Sequence, residues 1–373
     1  MRFYEKEIIT LKRSGRYRER TLYDPEVTDL ASNDYLGLAE NGELAVEAWR
    51  MLQQASLYGP KASMLVNGYH PIHAAFEEAL CEANGFEAGV VLGSGFNANI
   101  AMIESLVRRG DELFIDEKYH ASGILATKYS EGRITYFPHN DPEALEQLLG
   151  GSKAKRRIIA VEGIYSMDGD MLDRRIIEAA DRHEALLIVD EAHSSGVVGP
   201  HLMGVFDHYE IAIKPHYIKM GTLGKAYGCF GAYILASAHV VDYLVNRAKP
   251  IIYATAPSLF ETARGHCALR HILSHAGPLR EAIVARQTLV RERLGIAVPG
   301  LIVPVEIGDN RKVVEIREAL LEKGLLIGAI RQPTVPRAII RLIARTSVGC
   351  DVLEEACDAI AAHRSKSGDY GLD

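Results

Sequence analysis

The chain has 373 residues, of which 48% are hydrophobic and 24% charged, and its formal net charge is −7. That length accommodates two domains with sizeable cores, and the acidic balance disfavours a nucleic-acid phosphate backbone as partner. No run approaches the ~20 apolar residues of a membrane span, the first residues lack a secretory apolar core, and five scattered cysteines show no C-x-x-C spacing, so a reducing, cytoplasmic setting is expected. Fourteen histidines form no zinc-protease arrangement, and no metal is expected.

Ile8 to Arg20 carries Lys12, Arg13, Arg16, Arg18 and Arg20 around few apolar positions, which predicts a solvated helical arm. In Ser32-Asn33-Asp34-Tyr35-Leu36-Gly37-Leu38, Asn33 follows a short strand-like piece and can cap a turn. The apolar spacing predicts a helix over Glu43–Leu57, broken by Tyr58-Gly59-Pro60-Lys61-Ala62-Ser63-Met64. A second helix opens near Gly68 with Pro71 in its first turn and runs through Leu80; His70 reads as a surface or capping residue. Ala88 to Ala98 reads as strand, glycine turn and helix start, with Gly93, Gly95 and Ala98 spelling G-x-G-x-x-A. That spelling, with Asp116 downstream, also suits a nicotinamide dinucleotide enzyme, because a helix N-terminus binds phosphate in either case.

Glu112–Asp116 predicts a strand, followed by Lys118-Tyr119-His120-Ala121-Ser122. Arg157–Glu162 is another β-rich run, and Ser166 to Asp170 is a loop of turn formers. Ala185 to Val189 is a buried parallel strand ending in Asp190, with His193 three residues on, where ligands collect in open α/β sheets. Val-Asp-Glu-Ala-His is also a helicase motif, but the chain has no G-x-x-x-x-G-K-[ST] loop to go with it. Ile218 to Gly228 then presents Lys225 on a glycine-flanked turn between two strands, with Thr222 three residues earlier. Burial there would favour the free amine needed for attack on a carbonyl.

Strands and helices alternate from Ala88 to Leu235, which predicts a mainly parallel sheet covered on both faces. A helix over Ser258–His275 leaves that sheet. Beyond it come a helix through Arg286 and Arg293, a strand at Leu301–Ile307, a helix at Arg311–Lys323, a strand at Arg337–Ile343 and a terminal helix from Val352. The expected organisation is an N-terminal arm (1–42), a large α/β domain (43–274) and a small α+β domain (275–373). Arg341, amid apolar neighbours, needs a partner, and the residues allow either an internal salt bridge or a substrate carboxylate.

The order and wording of the Ser32, Ser94-Gly95-Phe96-Asn97-Ala98-Asn99, Glu162-Gly163-Ile164-Tyr165-Ser166-Met167-Asp168-Gly169-Asp170, Asp190-Glu191-Ala192-His193 and Thr222-Leu223-Gly224-Lys225 stretches resemble the α-oxoamine synthases. The likeness covers about Leu30 to Leu353 and implies the aspartate-aminotransferase-like fold (fold type I) with pyridoxal 5'-phosphate as cofactor. It implies that Lys225 binds the cofactor as a Schiff base, Asp190 keeps the ring nitrogen protonated, His120 stacks on the ring and His193 bonds its phenolate oxygen. Gly95, Phe96, Thr222 and Ser166 are implied as further cofactor contacts, and Thr255 as reaching the neighbouring subunit's phosphate in a homodimer. Asn33 and Arg341 are implied for the amino-acid carboxylate, Arg331 for the acyl-donor end, and His73 as a histidine near the site. Ala329-Ile330-Arg331-Gln332-Pro333-Thr334-Val335-Pro336 looks most like the branch that condenses L-alanine with a pimeloyl thioester, of coenzyme A or of a carrier protein, in biotin synthesis. Pro60, Lys61 and Met64 depart from the family's glycine-rich loop. The alternatives are a sister synthase using glycine or serine with another acyl-CoA, an NAD(P)-dependent dehydrogenase, and a non-enzymatic protein of the same fold.

Overall fold

Eleven strands fall into two sheets in the computed structural model, which describes residues 2–14 and 16–365. In chain order they are β1 (Thr28–Leu30), β2 (Ala88–Leu92), β3 (Glu112–Asp116), β4 (Arg133–Phe137), β5 (Arg157–Glu162), β6 (Leu186–Asp190), β7 (Tyr217–Thr222), β8 (Ala232–Ala236), β9 (Ile302–Gly308), β10 (Leu325–Ile330) and β11 (Ala338–Ile343).

The larger sheet has the order β2-β8-β7-β6-β5-β3-β4. Strand β8 runs antiparallel to β2 and β7, and the other pairings are parallel. Successive side chains of a strand point to opposite faces, and both faces here are covered. Ile158, Ala160 and Ile188 therefore enter one core cluster, whereas Ile159, Val161, Leu187 and Val189 enter another on the opposite side. This double burial explains why β5 and β6 read as continuous apolar runs. Register pairs Glu162 with Asp190 and Asp190 with Met220, so the carboxyl ends of β5, β6 and β7 lie side by side.

The smaller sheet has the order β1-β10-β11-β9. Its edge strand comes from near the N-terminus: Thr28, Asp29 and Leu30 pair in parallel with Leu325, Leu326 and Ile327. Strand β10 was not anticipated, because Gly328 interrupts its short apolar run. Gly328 lies opposite Arg341, and a Cβ there would come within 2.9 Å of the Arg341 carbonyl oxygen. A glycine is what lets the two backbones approach.

The N-terminal helix spans Arg2–Arg13 and buries none of its residues. It ends before Ser14-Gly15 instead of reaching Arg20, consistent with the low helix propensity of that pair. Pro71 begins the helix Pro71–Asn84 as expected, and His70 is its N-cap residue. No helix among the described residues is long and apolar enough to cross a membrane.

Between the two sheets runs the segment after β1. Arg345, only 3% exposed, pairs with Asp29, Asp34 and Glu40 and donates to the Asp34 carbonyl, while the Thr346 N–H bonds the Tyr35 carbonyl at 2.9 Å. A buried guanidinium needs such partners to offset its lost hydration. The loop holding Asn33 and Tyr35 is thereby fastened to the residues that follow β11.

Candidate active site

The carboxyl ends of the parallel strands surround a cavity of about 160 Å3 lined by Gly95, Phe96, Asn99, His120, Glu162, Asp190, Ala192, His193, Met220, Thr222 and Lys225. Three locally readable features supply most of this lining. Strand β2 turns into the helix Gly95–Leu106, whose N-cap Ser94 accepts from the Asn97 N–H. The N–H groups of Gly95 and Phe96 have no acceptor among the described residues and are available at the positive end of the helix. Strand β6 delivers Asp190, the end of β7 delivers Thr222, and the turn after it delivers Lys225.

Lys225 is half-buried, and its Nζ lies 2.7 Å from His193 Nε2. Burial lowers the ammonium to about 8, Asp190 and Glu162 opposing the shift and Arg341 adding to it. His193 is pushed well below the usual imidazole range, first by burial and then by Lys225, Arg341 and His120. A neutral imidazole facing an amine that gives up its proton near neutrality is the state a nucleophilic lysine requires.

Asp190 accepts from the Ala192 N–H at 3.0 Å and from Asn99 Nδ2 at 2.9 Å. Asn99, itself 1% exposed, also accepts from the Tyr119 hydroxyl at 2.7 Å and donates to Ser122 Oγ at 3.0 Å. The Ser122 hydroxyl is 2.7 Å from His120 Nδ1, so one polar chain joins the carboxylate to the imidazole across the cavity. Burial lowers the His120 pKa, with Asp190 opposing and Lys225 adding to the effect.

Glu162 adds a second carboxyl beside Asp190. It is 2% exposed, its Oε1 has no partner among the described residues, and burial followed by the Asp190 charge holds it well above the usual carboxylate range. A buried carboxyl oxygen without a partner inside a cavity is placed to meet a ligand's polar atom.

Arg341 reaches the same neighbourhood from the small sheet. Its Nε donates to the Ser166 carbonyl at 2.8 Å and its Nη2 to Asn33 Oδ1 at 3.0 Å. No acid lies within ion-pair distance of this 7%-exposed guanidinium among the described residues. Of the two partners the residues allowed, an internal salt bridge is not present among the described residues, and the Ser166 carbonyl and Asn33 Oδ1 are the acceptors the fold itself supplies.

The remaining expected positions lie apart from this cavity. Ser166 meets Arg341 through its carbonyl rather than its hydroxyl. Thr255 is exposed on the loop after a short helix. Arg331 lines a separate groove of about 700 Å3 with Leu11, Arg16, Tyr17 and Arg18 of the arm. His73 is fully buried, accepting from the His70 N–H and bonding the Pro257 carbonyl, so both its ring nitrogens serve the fold. His139, Asp168 and Asp170 bring possible metal-ligand atoms within 4.8 Å of one another, but His139 already bridges Asp116 and Asp170, and Lys118 pairs with Asp168.

Three cavity-side groups, Asn99, Glu162 and Tyr35, were given no role from the sequence. Asn99 carried a usable signal, since it stands one turn after Gly95 on the same helix face. Glu162 ends a strand next to the one ending in Asp190, but that adjacency exists only in the folded sheet.

The donor set fits pyridoxal phosphate. Free N–H groups at a helix N-terminus with Thr222 suit a phosphate, a half-buried amine suits an aldehyde, and a hydrogen-bonded carboxylate suits a protonated ring nitrogen. Residues 25–360 match the family model described as aminotransferase class I and II. The 8-amino-7-oxononanoate synthase of Helicobacter pylori strain J99 is 39% identical over 359 residues, covering 96% of each chain. That of Geobacter sulfurreducens is 40% identical over 328 residues, covering 85% of this chain and 83% of its own. Among solved structures, the fold superposes on serine palmitoyltransferase from S. paucimobilis with a TM-score of 0.87 at 22% identity, covering 98% of this chain and 97% of that one. It also superposes on 8-amino-7-oxononanoate synthase from Francisella tularensis with a TM-score of 0.79 at 23% identity, covering 92% of this chain and 100% of that one.

Proposed function

The chain belongs to the aminotransferase class I and II family, and we propose that it joins L-alanine to a pimeloyl thioester, releasing carbon dioxide and the thiol and forming 8-amino-7-oxononanoate. The observation that carries this reading is one cavity holding a half-buried lysine with a lowered pKa, a hydrogen-bonded aspartate, and at its edge an arginine without an acidic partner among the described residues. When bound, pyridoxal phosphate supplies an aldehyde for the amino acid's nitrogen and a protonated ring that accepts the electron pair released at its Cα.

The chain's own residues do the rest. Asp190, held by Asn99 and the Ala192 N–H, keeps the proton on the ring nitrogen. Gly95, Phe96 and Thr222, which line the cavity, would receive the phosphate, and His120 would cover the ring and exclude water. Asn33 and Arg341 grip the alanine carboxylate, the guanidinium doing so with fixed two-pronged geometry. Lys225, as the free amine 2.7 Å from His193 Nε2, would take the Cα proton, and His193 would hold the cofactor's ring oxygen. Arg331 and the basic arm, flanking their shared groove, serve the acyl-donor end, whether coenzyme A or a carrier protein brings the thioester. Thr255, exposed on its loop, is offered to the phosphate site of a second subunit in a homodimer.

Supplying the cofactor-loaded protein with L-alanine and pimeloyl-CoA, and reading product mass and thiol release, tests this. Formation of 8-amino-7-oxononanoate is expected. Turnover with glycine or serine and another acyl-CoA, without turnover of alanine, would assign the chain to a sister synthase instead.

A further inference from the structure

Tyr35 is completely buried, and nothing in the reaction as described uses its hydroxyl. That hydroxyl lies 2.5 Å from His193 Nδ1, while His193 Nε2 lies 2.7 Å from Lys225 Nζ. The next acceptor open to it, Asn33 Oδ1, is 3.4 Å away. A neutral imidazole carries one N–H, and the partner of one ring nitrogen decides which nitrogen holds it.

We propose, on the footing of the condensation reaction above, that Tyr35 is a positioning residue: its O–H donates to His193 Nδ1 and fixes the ring as the tautomer that presents Nε2–H to the cavity. The opposite arrangement would have Nδ1–H donate to the phenol and leave the phenolic proton only the 3.4 Å contact to Asn33. Hydrogen bonds weaken steeply beyond ~3.2 Å, so the arrangement that spends the phenolic proton at 2.5 Å is the better satisfied. It also turns the phenol's lone pairs toward the Arg341 guanidinium, the first favourable charge near a phenol that burial otherwise holds far above its ordinary range.

The chemistry needs this tautomer. If His193 is to bond an ionised ring oxygen of the cofactor, as proposed above, it must do so through Nε2–H, because such an oxygen offers only lone pairs. A free imidazole would exchange between tautomers. The charged and titratable groups facing His193 are Lys225, Arg341, His120 and Tyr35, and the first three are all cations or potential cations that favour the neutral ring. The ring plane is held as well, since the tyrosine and imidazole meet edge-on with centroids 6.1 Å apart. Tyr35 in turn is fixed through its carbonyl by Thr346, which follows the strand carrying Arg341.

The test uses Tyr35→Phe, which removes one oxygen from an otherwise unchanged ring. In protein with 15N-labelled histidine, read above the Lys225 pKa of about 8 where the neutral amine can accept from Nε2–H, His193 in the parent should show a pyridine-type Nδ1 and a protonated Nε2, and the variant should show a mixture or the reverse. In the cofactor-loaded protein, the pH midpoint of the visible band should move by on the order of one unit. The kcat should fall about tenfold with KM for alanine little changed, one unit of pKa being equivalent to a tenfold change. A purely structural role would instead loosen Asn33 two residues away, raising KM and leaving the tautomer and midpoint alone; that result overturns the proposal. Should the variant fail to fold, trifluorotyrosine at position 35 keeps the ring and hydroxyl but makes the phenol more acidic. It should still displace the His193 nitrogen shifts, and unchanged shifts overturn the proposal equally. A parent protein that shows the expected tautomer but condenses no amino acid with any thioester would reject the condensation reaction and leave the Tyr35 bond standing.

Discussion

Arg341 and Asn33 stand 308 residues apart in the chain and are joined by a 3.0 Å hydrogen bond from Nη2 to Oδ1. Neither residue is remarkable alone, yet the bond aims a guanidinium with no acidic partner among the described residues at the edge of the lysine cavity. Arg341→Lys keeps the charge and loses the planar two-pronged grip, so alanine affinity should fall by roughly 10- to 100-fold, equivalent to about 1.5–3 kcal/mol for a charge-assisted hydrogen bond. Cofactor content should be unchanged. Titrating alanine and following the visible spectrum checks this, and unchanged affinity would assign Arg341 to the fold.

Lys225 makes a prediction about pH. Its folded pKa of about 8 lies below the ordinary 10.5, so the unfolded chain binds more protons across that window. Stability of the cofactor-free protein must therefore rise as pH rises from about 8 to 10.5. Lys225→Met removes the half-buried cation and should melt higher than the parent at pH 7, with the difference shrinking to nothing above pH 10.5. The same variant should bind cofactor without covalent attachment and show no turnover. Borohydride reduction and peptide mapping of the parent should label Lys225; label on Lys219, which is buried against Asn84 and Met203, would refute the assignment.

The two neighbouring carboxyls should respond oppositely to amide replacement. Asp190 is poised to hold a proton on a ring nitrogen, and Asp190→Asn should slow the proton-removal step by orders of magnitude, each ~1.4 kcal/mol being tenfold. Burial, and then Asp190, push the Glu162 carboxyl well above its ordinary range and so favour its neutral form. Glu162→Gln copies that neutral state and should retain fold and cofactor affinity. Parallel measurement of cofactor affinity and turnover in the two variants decides the matter, with equal losses in both arguing against the neutral acid.

Outside the cavity, His139 bridges Asp116 at 3.2 Å and Asp170 at 3.1 Å. Burial alone would lower its pKa, but the two carboxylates raise it to about 9. A raised histidine stabilises fully below its unfolded value near 6.5 and loses that contribution as pH rises through about 9. His139→Asn should flatten the melting-temperature profile between those limits, and a profile parallel to the parent's would show that the bridge is not what titrates.

Much of the chemistry was written locally. Ala88 to Leu106 announces a strand, a glycine turn and a helix N-terminus within one short stretch, and Ala185 to His193 announces a buried strand with an acid at its end. These are readable because strand and helix periodicities repeat over a few residues and because glycine turns carry their own signature. Lys225 on its turn and the apolar flanks of Arg341 belong to the same class. What the sequence by itself determined is thus the type of each element and the residue presented at its end.

Tertiary structure decided which ends meet. Glu162 faces the cavity because β5 pairs with β6 in one register, and a slip by one residue would turn it to the opposite face. Asn33 and Tyr35 reach Arg341 and His193 because Thr28–Leu30 adds to a sheet whose other strands come some 300 residues later, with Arg345 clamping the loop between. Strand β10 is hidden for a related reason: Gly328 lowers its local strand propensity, and the close approach to Arg341 explains that glycine. The lowered Lys225 pKa likewise has no local cause, since desolvation by surrounding elements produces it and carboxyls from two other strands oppose it. Such effects depend on packing between distant segments, to which a side-chain pattern along the chain carries no address.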